Sequence, residues 1–568
     1  MAVDGAADAV ASRVPARAPA AIRSASGARG LGVGGALALG ALGGVLTGAT
    51  FRVPALGPLV FVTLVPLLAA TFGGVWRALL GGAACAVTGY AVVFGWVPAW
   101  LVRFQGLPVR YAWMLFAGAL AYQALQIAGF AAGVALMARR ARRAASPPTF
   151  ALASSVAALW VVLDWAFPKL VPWTLAGALA PAEWLRQAAD LGGMAGLSFA
   201  IVLVNALLLP LVAPTVSLGG ADRRRQVRRR LVGAAAVLTT LLAYGAWRTS
   251  AGIESDSPRA VIAALLVQGG IAADQPRDDA AGLENIARYE RLTDAGAATA
   301  PVGADYGLIL WPETTVPLNL RGNAWHGGRL ARLATRSGRS LILGAIDHAA
   351  DDQGDYNSAY AFSPGAGSVQ IYHKAYLVPW AEYVPGRDWL PERFAWRTTG
   401  AYRHGESPEP LILPALRDDV SPLRVAPSIC FEAMQAGAFN DLVRAGAAVL
   451  VNLTDDGWLA GTAAAELHLQ AMRLRAVETR RWLLRASNSG ISAVIDPSGA
   501  IVASLPFGAV GALPAPAAAR HDMTAYVLGG EWVVVLSATL LLWWGWRARA
   551  SRRKVGVARR GESTAQYR

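Results

Sequence analysis

Cysteine is almost absent from this 568-residue chain: only Cys85 and Cys430 occur. One falls inside a long apolar run and the other in a polar region far downstream, so no disulfide can form within either region. Histidine is scarce too, at six residues, and no HxH, HExxH or CxxC grouping sets out a metal site. No GxxxxGK[ST] phosphate loop, dinucleotide fingerprint or redox centre occurs, so no cofactor or metal is expected. Charge is sparse: 16% of residues are charged against 55% hydrophobic, which excludes an ordinary soluble enzyme. The length predicts two or more structural units.

The hydrophobicity is clustered into runs of about 20 residues, each able to cross a bilayer core of roughly 30 Å as a helix. Eight spans are expected, at about 31–50, 55–73, 78–100, 111–137, 149–167, 193–213, 231–247 and 525–546. Residues 168–192 read as a loop or interfacial segment. The Ala-, Arg- and Ser-rich residues 1–30 read as a disordered tail, followed by an uncleaved first helix. The organisation predicted is a membrane domain over 31–247 with seven helices, a soluble domain over 248–524, an eighth helix at 525–546 and a basic tail at 547–568.

Arginines set the expected orientation. Arg13, Arg17, Arg23 and Arg29 precede the first span, RRARR (139–143) follows the fourth, RRRQVRRR (223–230) follows the sixth, and RARASRRKVGVARR (547–560) follows the eighth. With eight spans all four clusters share one side, which the positive-inside rule makes cytoplasmic. Both termini are then cytoplasmic and the soluble domain is extracytoplasmic, or periplasmic. The net charge of +15 is accounted for by topology and anionic lipid headgroups, with no nucleic-acid partner required.

Within the soluble domain, short β-prone runs recur at 260–268, 306–312, 340–346, 358–363, 423–430, 447–454, 482–487 and 492–497. Helical stretches lie at 283–295, 325–337 and 464–480, and DPSG (496–499) resembles a hairpin turn. Near-continuous apolar strands alternating with helices predict an α/β domain whose sheets are buried on both faces.

Three segments carry the chemistry, in the order ILWPETTVP with Glu313, YHKAYLVPWAEYVPG with Lys374, and APSICFE with Cys430. Each key residue closes an apolar run, as a side chain placed at a strand end does. A cysteine of ordinary pKa near 8.5 is mostly thiol at neutral pH, so attack on an ester needs a base or a positive neighbour. Glu313 is the candidate general base. Lys374 is the candidate group that stabilises thiolate and oxyanion, and the backbone N–H of Phe431 is a candidate oxyanion donor. Taken singly, Glu313 and Lys374 would read as a structural ion pair and Cys430 as a small buried hydrophobe; their order and contexts favour the triad.

These segments resemble the signatures of the carbon–nitrogen hydrolase, or nitrilase, superfamily. Combined with flanking transmembrane helices, they are similar to one branch, the apolipoprotein N-acyltransferases. VQG (267–269), YNSAY (356–360), TDDGW (454–458), the run 468–499 and GMAGLSFAIVLVNALL (193–208) extend the resemblance over about 30–546. It implies an αββα sandwich with a Glu-Lys-Cys triad, joined here to a polytopic helical domain. It also implies that Glu382 holds the active lysine or base in place. Three departures stand out: Phe431 where many members carry Tyr, Ala381 and Trp380 in place of Gly and Phe, and GGIAADQP after VQ.

Around this core, Glu432 reads as an anchor of the nucleophile turn, Asn357 as the tie of a strand end, and Tyr383 and Trp458 as either acyl-pocket walls or core. Arg473, Arg475 and Glu478 are expected to brace their helix by internal ion pairs, and Glu466 with His468 offers no metal set. Asp164 and Lys169 sit at the outer end of the fifth span, beside a lipid entrance or as snorkelling side chains.

The resemblance implies a ping-pong reaction. Cys430 takes an acyl chain from a phospholipid as a thioester, then passes it to the α-amino group of a lipoprotein's diacylglyceryl-cysteine. Eight helices suit an acyl donor that arrives from the bilayer, and a monomer is expected. A membrane-anchored amidase cleaving a small C–N substrate, and a non-catalytic scaffold that kept the fold, remain the alternatives.

Overall fold

The computed structural model describes residues 31–143, 149–211, 220–250, 260–272, 275, 278–297, 303–349, 354–379, 381–383, 386, 402–406 and 408–547. The expected N-terminal tail, all but the first residue of the basic C-terminal tail, and Trp380 lie outside the described residues.

Among the described residues, six helical segments are long and apolar enough to cross a bilayer: Val33–Arg52, Pro54–Gly73, Val75–Phe94, Val109–Ala141, Ala189–Leu211 and Arg224–Ser250. Phe150–Ala166 and Trp532–Arg547 are shorter apolar helices. Several differ in extent from the apolar runs. The second is broken into a 3-10 turn, Pro54–Leu59, and the short helices Val60–Thr63 and Val65–Ala70. Proline there removes N–H donors and crowds the preceding turn. The run 78–100 is two helices, because the first ends at Phe94 and Pro98 opens another, Val97–Gln105. The run 525–546 is also split, with Ala525–Gly529 ending at Gly530. Arginine acts in the opposite sense. RRARR lies inside Val109–Arg143 and RRRQVRRR inside Gly220–Ser250, since arginine is a good helix former and the helix outlasts its apolar stretch.

Small residues let these helices meet. A Cβ at Gly40 would lie 2.0 Å from the Gly81 carbonyl oxygen, so Val33–Arg52 and Val75–Phe94 touch backbone to backbone. Residues 168–192 contain the short turns Leu175–Leu179 and Glu183–Arg186 before the helix Ala189–Leu208 begins. That helix breaks at Gly193, with φ of 62°. A side chain there would also strike the Tyr526 ring, 2.4 Å from a Cβ. The break leaves the Met194 N–H free to donate to Glu478 Oε1 at 3.0 Å.

The α/β domain holds two sheets. β1 (Val261–Gln268), β2 (Tyr306–Leu310), β3 (Val316–Asn319), β4 (Ser340–His348), β5 (Asp355–Phe362), β6 (Gln370–His373) and β13 (Gly511–Ala518) form the first, in the order β13-β1-β2-β4-β5-β6 with β3 on β4. β7 (Leu411–Leu413), β8 (Leu423–Ile429), β9 (Val449–Thr454), β10 (Leu483–Ser487), β11 (Ser492–Ile495) and β12 (Ile501–Leu505) form the second, in the order β12-β11-β10-β9-β8-β7. Alternation along each strand divides its side chains between two cores. Ile262, Ala264 and Leu266 face Val425, Val451 and Leu484 between the sheets. Leu265 and Val267 instead pack with Ile286, Leu330 and Leu333 of helices Asp279–Ala297 and Ala324–Ser337. Helices Asn440–Arg444 and Ala464–Thr479 cover the second sheet through Leu442, Leu469 and Met472. The result is an αββα sandwich attached to a polytopic helical domain.

Five strands escape the sequence reading: β3, β6, β7, β12 and β13. β13 is GALPAPAA, and its prolines oppose Leu265 and Ala263 of β1. They are accommodated because β13 is an edge strand, whose outer N–H positions need no partner.

Buried polar contacts join the two halves. Arg480 caps its helix in the left-handed region (φ 52°) and donates to Asp190 Oδ2 at 2.6 and 2.9 Å and to Gln187 Oε1 at 2.7 Å. Tyr244 and Arg248 donate to the same aspartate, at 2.8 and 3.1 Å. The DPSG turn docks too: Arg186 Nε and Gln187 Nε2 donate to the Ser498 carbonyl at 2.6 and 3.0 Å. Arg475 pairs with Glu478 at 3.0 Å. Among the described residues Arg473 makes no salt bridge within its helix; it donates to the Gly499 carbonyl at 2.8 Å and to Gln470 at 3.0 Å, because the hairpin turn lies within its reach.

Candidate active site

Glu313, Lys374 and Cys430 follow β2, β6 and β8, so the strand ends of both sheets converge on one place. Lys374 is 1% exposed and lies between two carboxylates, donating to Glu382 Oε1 at 2.8 Å and Glu313 Oε1 at 3.3 Å. Burial alone would lower its pKa, but Glu382, Glu313 and Cys430 outweigh burial and raise it well above the usual lysine value. Lys374 is therefore an ammonium.

Glu313 is held at both oxygens. Asn357 donates to Oε1 at 2.8 Å, and the Asp455 backbone N–H donates to Oε2 at 3.0 Å. Asn357 does more than tie a strand end, since it also donates to Glu382 Oε1 at 3.1 Å and so links the two carboxylates. Glu382 accepts the Val378 N–H through its other oxygen at 2.8 Å, which fixes the loop after Lys374.

Cys430 starts a short 3-10 turn, Cys430–Met434, with φ of 51°. A non-glycine residue in this region is strained and must be held by its surroundings. Glu432 supplies some of that hold. Its Oε2 accepts the Ile429 N–H at 2.8 Å, while Oε1 accepts from Tyr372 and from the N–H groups of Ala375 and Tyr376 at 2.8, 2.6 and 3.1 Å. One buried carboxylate thus ties the cysteine turn to the lysine loop. Cys430 itself remains partly exposed. Burial and the Glu313 carboxylate push its thiol well above the ordinary range, against the pull of Lys374. The group at the site is a thiol near Glu313 and the Lys374 ammonium.

Trp458 packs edge-on against Phe104 of the helix Val97–Gln105, with centroids 5.6 Å apart, linking the membrane half to the site. Tyr383 stacks edge-on against His404 at 4.9 Å. Asp164 and Lys169 pair at 3.1 Å and line a cavity of about 380 Å³ that also meets Met434, Gln435 and Ala436. In the altered segment after Val267, Gly270 and Ile271 donate their N–H groups to Asn488, at 2.8 and 3.0 Å.

Asn452, Asp456 and Arg485 have no role in the sequence reading, yet the fold gathers them beside the site. Arg485 donates to Asn452 Oδ1 at 2.6 Å and pairs with Asp456, and His468 lies 3.1 Å from Asp456. The doubled acid at the end of an apolar strand, in TDDGW, is the available signal.

The family described as carbon-nitrogen hydrolase matches residues 265–515. The family described as apolipoprotein N-acyltransferase N-terminal domain matches residues 43–207. An apolipoprotein N-acyltransferase of Bradyrhizobium diazoefficiens is 30% identical, over 87% of this chain and 92% of its own length. One from Geobacter metallireducens is 29% identical, over 81% and 85%. Among solved structures, a carbon-nitrogen hydrolase from Helicobacter pylori is similar over 50% of this chain and 94% of its own, with 14% identity and a TM-score of 0.36.

Proposed function

The chain belongs to the apolipoprotein N-acyltransferase family, and from that we propose that Cys430 carries an acyl chain from a phospholipid to the α-amino group of a lipoprotein's diacylglyceryl-cysteine. It is an acyltransferase of the inner membrane acting in lipoprotein maturation. The observation that carries the finer reading is the ammonium of Lys374 held between Glu313 and Glu382 beside a partly exposed thiol.

In the first step Glu313 takes the Cys430 proton as sulfur attacks the ester carbonyl. Lys374 and the Phe431 N–H stabilise the oxyanion. Collapse breaks the ester bond, and Glu313 returns the proton to the leaving oxygen, giving lysophospholipid and an acyl thioester. In the second step the amine attacks the thioester, Glu313 accepts the amine proton, and the thiolate leaves and is reprotonated. Transfer rather than hydrolysis requires that water be kept from the thioester.

The proposed layout is a membrane domain over 31–247, a catalytic domain over 248–524 and a last helix over 525–546, with cytoplasmic termini and an extracytoplasmic site. The contact of Arg140 with the Trp544 ring, at 5.9 Å, supports it by bringing the RRARR end of one helix to the C-terminal end of another. The proposed state is a monomer.

Intact-mass measurement of purified protein incubated with phospholipid alone tests the reading. It predicts one added acyl chain, removed by neutral hydroxylamine, absent in Cys430→Ala and discharged onto a diacylated lipopeptide. A folded protein that gains no adduct from any phospholipid and cleaves small amides would make it the amidase instead.

A further inference from the structure

Beneath the nucleophile lies a buried polar cluster that the reaction described above does not use. The Cys430 carbonyl oxygen accepts two side-chain hydrogen bonds, from His468 Nε2 at 3.2 Å and from Asn452 Nδ2 at 3.3 Å. His468 is 4% exposed and Asn452 is fully buried. Neither donor is free to turn away. Arg485 Nη1 donates to Asn452 Oδ1 at 2.6 Å, and Arg485 Nη2 lies 3.1 Å from His468 Nδ1. Arg485 is in turn fixed by Asp456 and by the Ile491 carbonyl.

The carbonyl fixes one hydrogen of the imidazole. A carbonyl only accepts, so Nε2 must carry a hydrogen; Nδ1 lies 3.1 Å from both the Asp456 carboxylate and the Arg485 guanidinium, which hold the ring from behind. Burial and the Arg485 charge lower the His468 pKa, against the pull of the Asp456 carboxylate.

The carbonyl they hold shares a peptide unit with the Phe431 N–H. No cis peptide bond occurs among the described residues, and in a planar trans peptide the N–H points opposite to the C=O. Two donors fixing the oxygen from the interior therefore turn the N–H outward, toward the exposed side of Cys430. They also polarise the amide, which strengthens its N–H as a donor. Without them, the positive φ of Cys430 would have one fewer restraint, and the peptide could rotate toward a less strained setting.

We propose that His468 and Asn452, braced by Arg485 and Asp456, are positioning residues that aim the oxyanion-binding N–H of Phe431 by clamping the Cys430 carbonyl. This rests on Cys430 as the acylated nucleophile, but not on the identity of the acyl donor. His468→Phe keeps a planar ring and removes the donor; His468→Gln keeps an N–H donor. Full-length protein in detergent is acylated with a p-nitrophenyl ester carrying a ¹³C-labelled carbonyl, and the thioester carbonyl stretch is read by infrared difference spectroscopy. The frequency belongs only to the acylated, folded fraction, so poor folding does not mimic the effect.

His468→Phe is expected to raise the carbonyl frequency and to lower kcat roughly 10- to 100-fold, less than the full loss of an oxyanion donor, with KM little changed. His468→Gln is expected to restore most of both. An unchanged frequency in His468→Phe, or a His468→Gln variant as impaired as His468→Phe, would overturn the proposal. Acylation of the wild type by the activated ester but not by phospholipid would overturn the donor assignment and leave the clamp standing. Failure of both to acylate Cys430 would overturn the clamp together with the nucleophile.

Discussion

The two halves of the molecule solve opposite problems. In the membrane half, lipid offers no hydrophobic drive for helices to associate, so close contact rests on small residues such as Gly40 against Gly81. In the α/β half, two apolar sheets supply a core, and around it the chain buries Lys374, Glu432, Arg485 and Asp456 at 1% exposure or less, each with bonded partners. Packing by shape is intolerant of added volume, whereas packing by charge is intolerant of a missing partner. The halves should therefore fail under different substitutions.

The largest effects are expected at the site. Cys430→Ala should abolish acyl transfer, about 10⁴-fold or more, and Glu313→Gln should lower it about 10³-fold. Alkylation of Cys430 by iodoacetamide separates the charges from the proton transfer. Because the thiol is held above its ordinary range, the rate should climb about tenfold per pH unit through neutral pH without a plateau. Glu313→Gln removes a charge that raises this pKa and should alkylate faster. Lys374→Met removes one that lowers it and should alkylate more slowly at every pH. Equal rates in all three proteins would show that these charges do not reach the sulfur.

At the seam between the halves, Arg480→Met leaves Asp190, 3% exposed, without its closest cation. A loss of about 3–5 kcal/mol is expected, read as a lowered unfolding temperature in detergent and partly recovered by adding Asp190→Asn. No loss would mean that Arg248 and Tyr244 suffice. The smallest expected effect is Gly40→Ala, about 1–3 kcal/mol, because a single methyl must push one helix backbone away from another. Its kcat per folded molecule should match the wild type; a lower kcat would mean that helix spacing is transmitted to the site.

Legibility differs between the halves as well. The α/β strands that precede Glu313 and Cys430 can be read because each is a buried apolar run ending in a polar residue, and the helices between them have their own period. β13 cannot, since alternating prolines argue against a strand until its edge position is known. Among the membrane segments, hydropathy locates apolar runs but not the breaks at Gly95 and Gly530 or the arginine-rich extensions, because transfer free energy is blind to backbone geometry. The His468, Asn452 and Arg485 cluster is hidden for another reason. Its members come from a helix and two strands, and only the fold brings them to one carbonyl oxygen.

The chain enters the α/β half on β1 and leaves it on β13, and these strands lie side by side with Val261 opposite Ala518. The Ala519 N–H, donating to the Ala260 carbonyl at 3.0 Å, adds one more rung at that end. Mechanically, both leads of the domain are clamped together at a single point. A pull on the two leads in opposite directions would load this ladder as a zipper, one rung at a time from the clamp, rather than shearing every rung at once. A pull that separated Ala260 from Ala519 would be resisted first by the clamp and then by each successive rung.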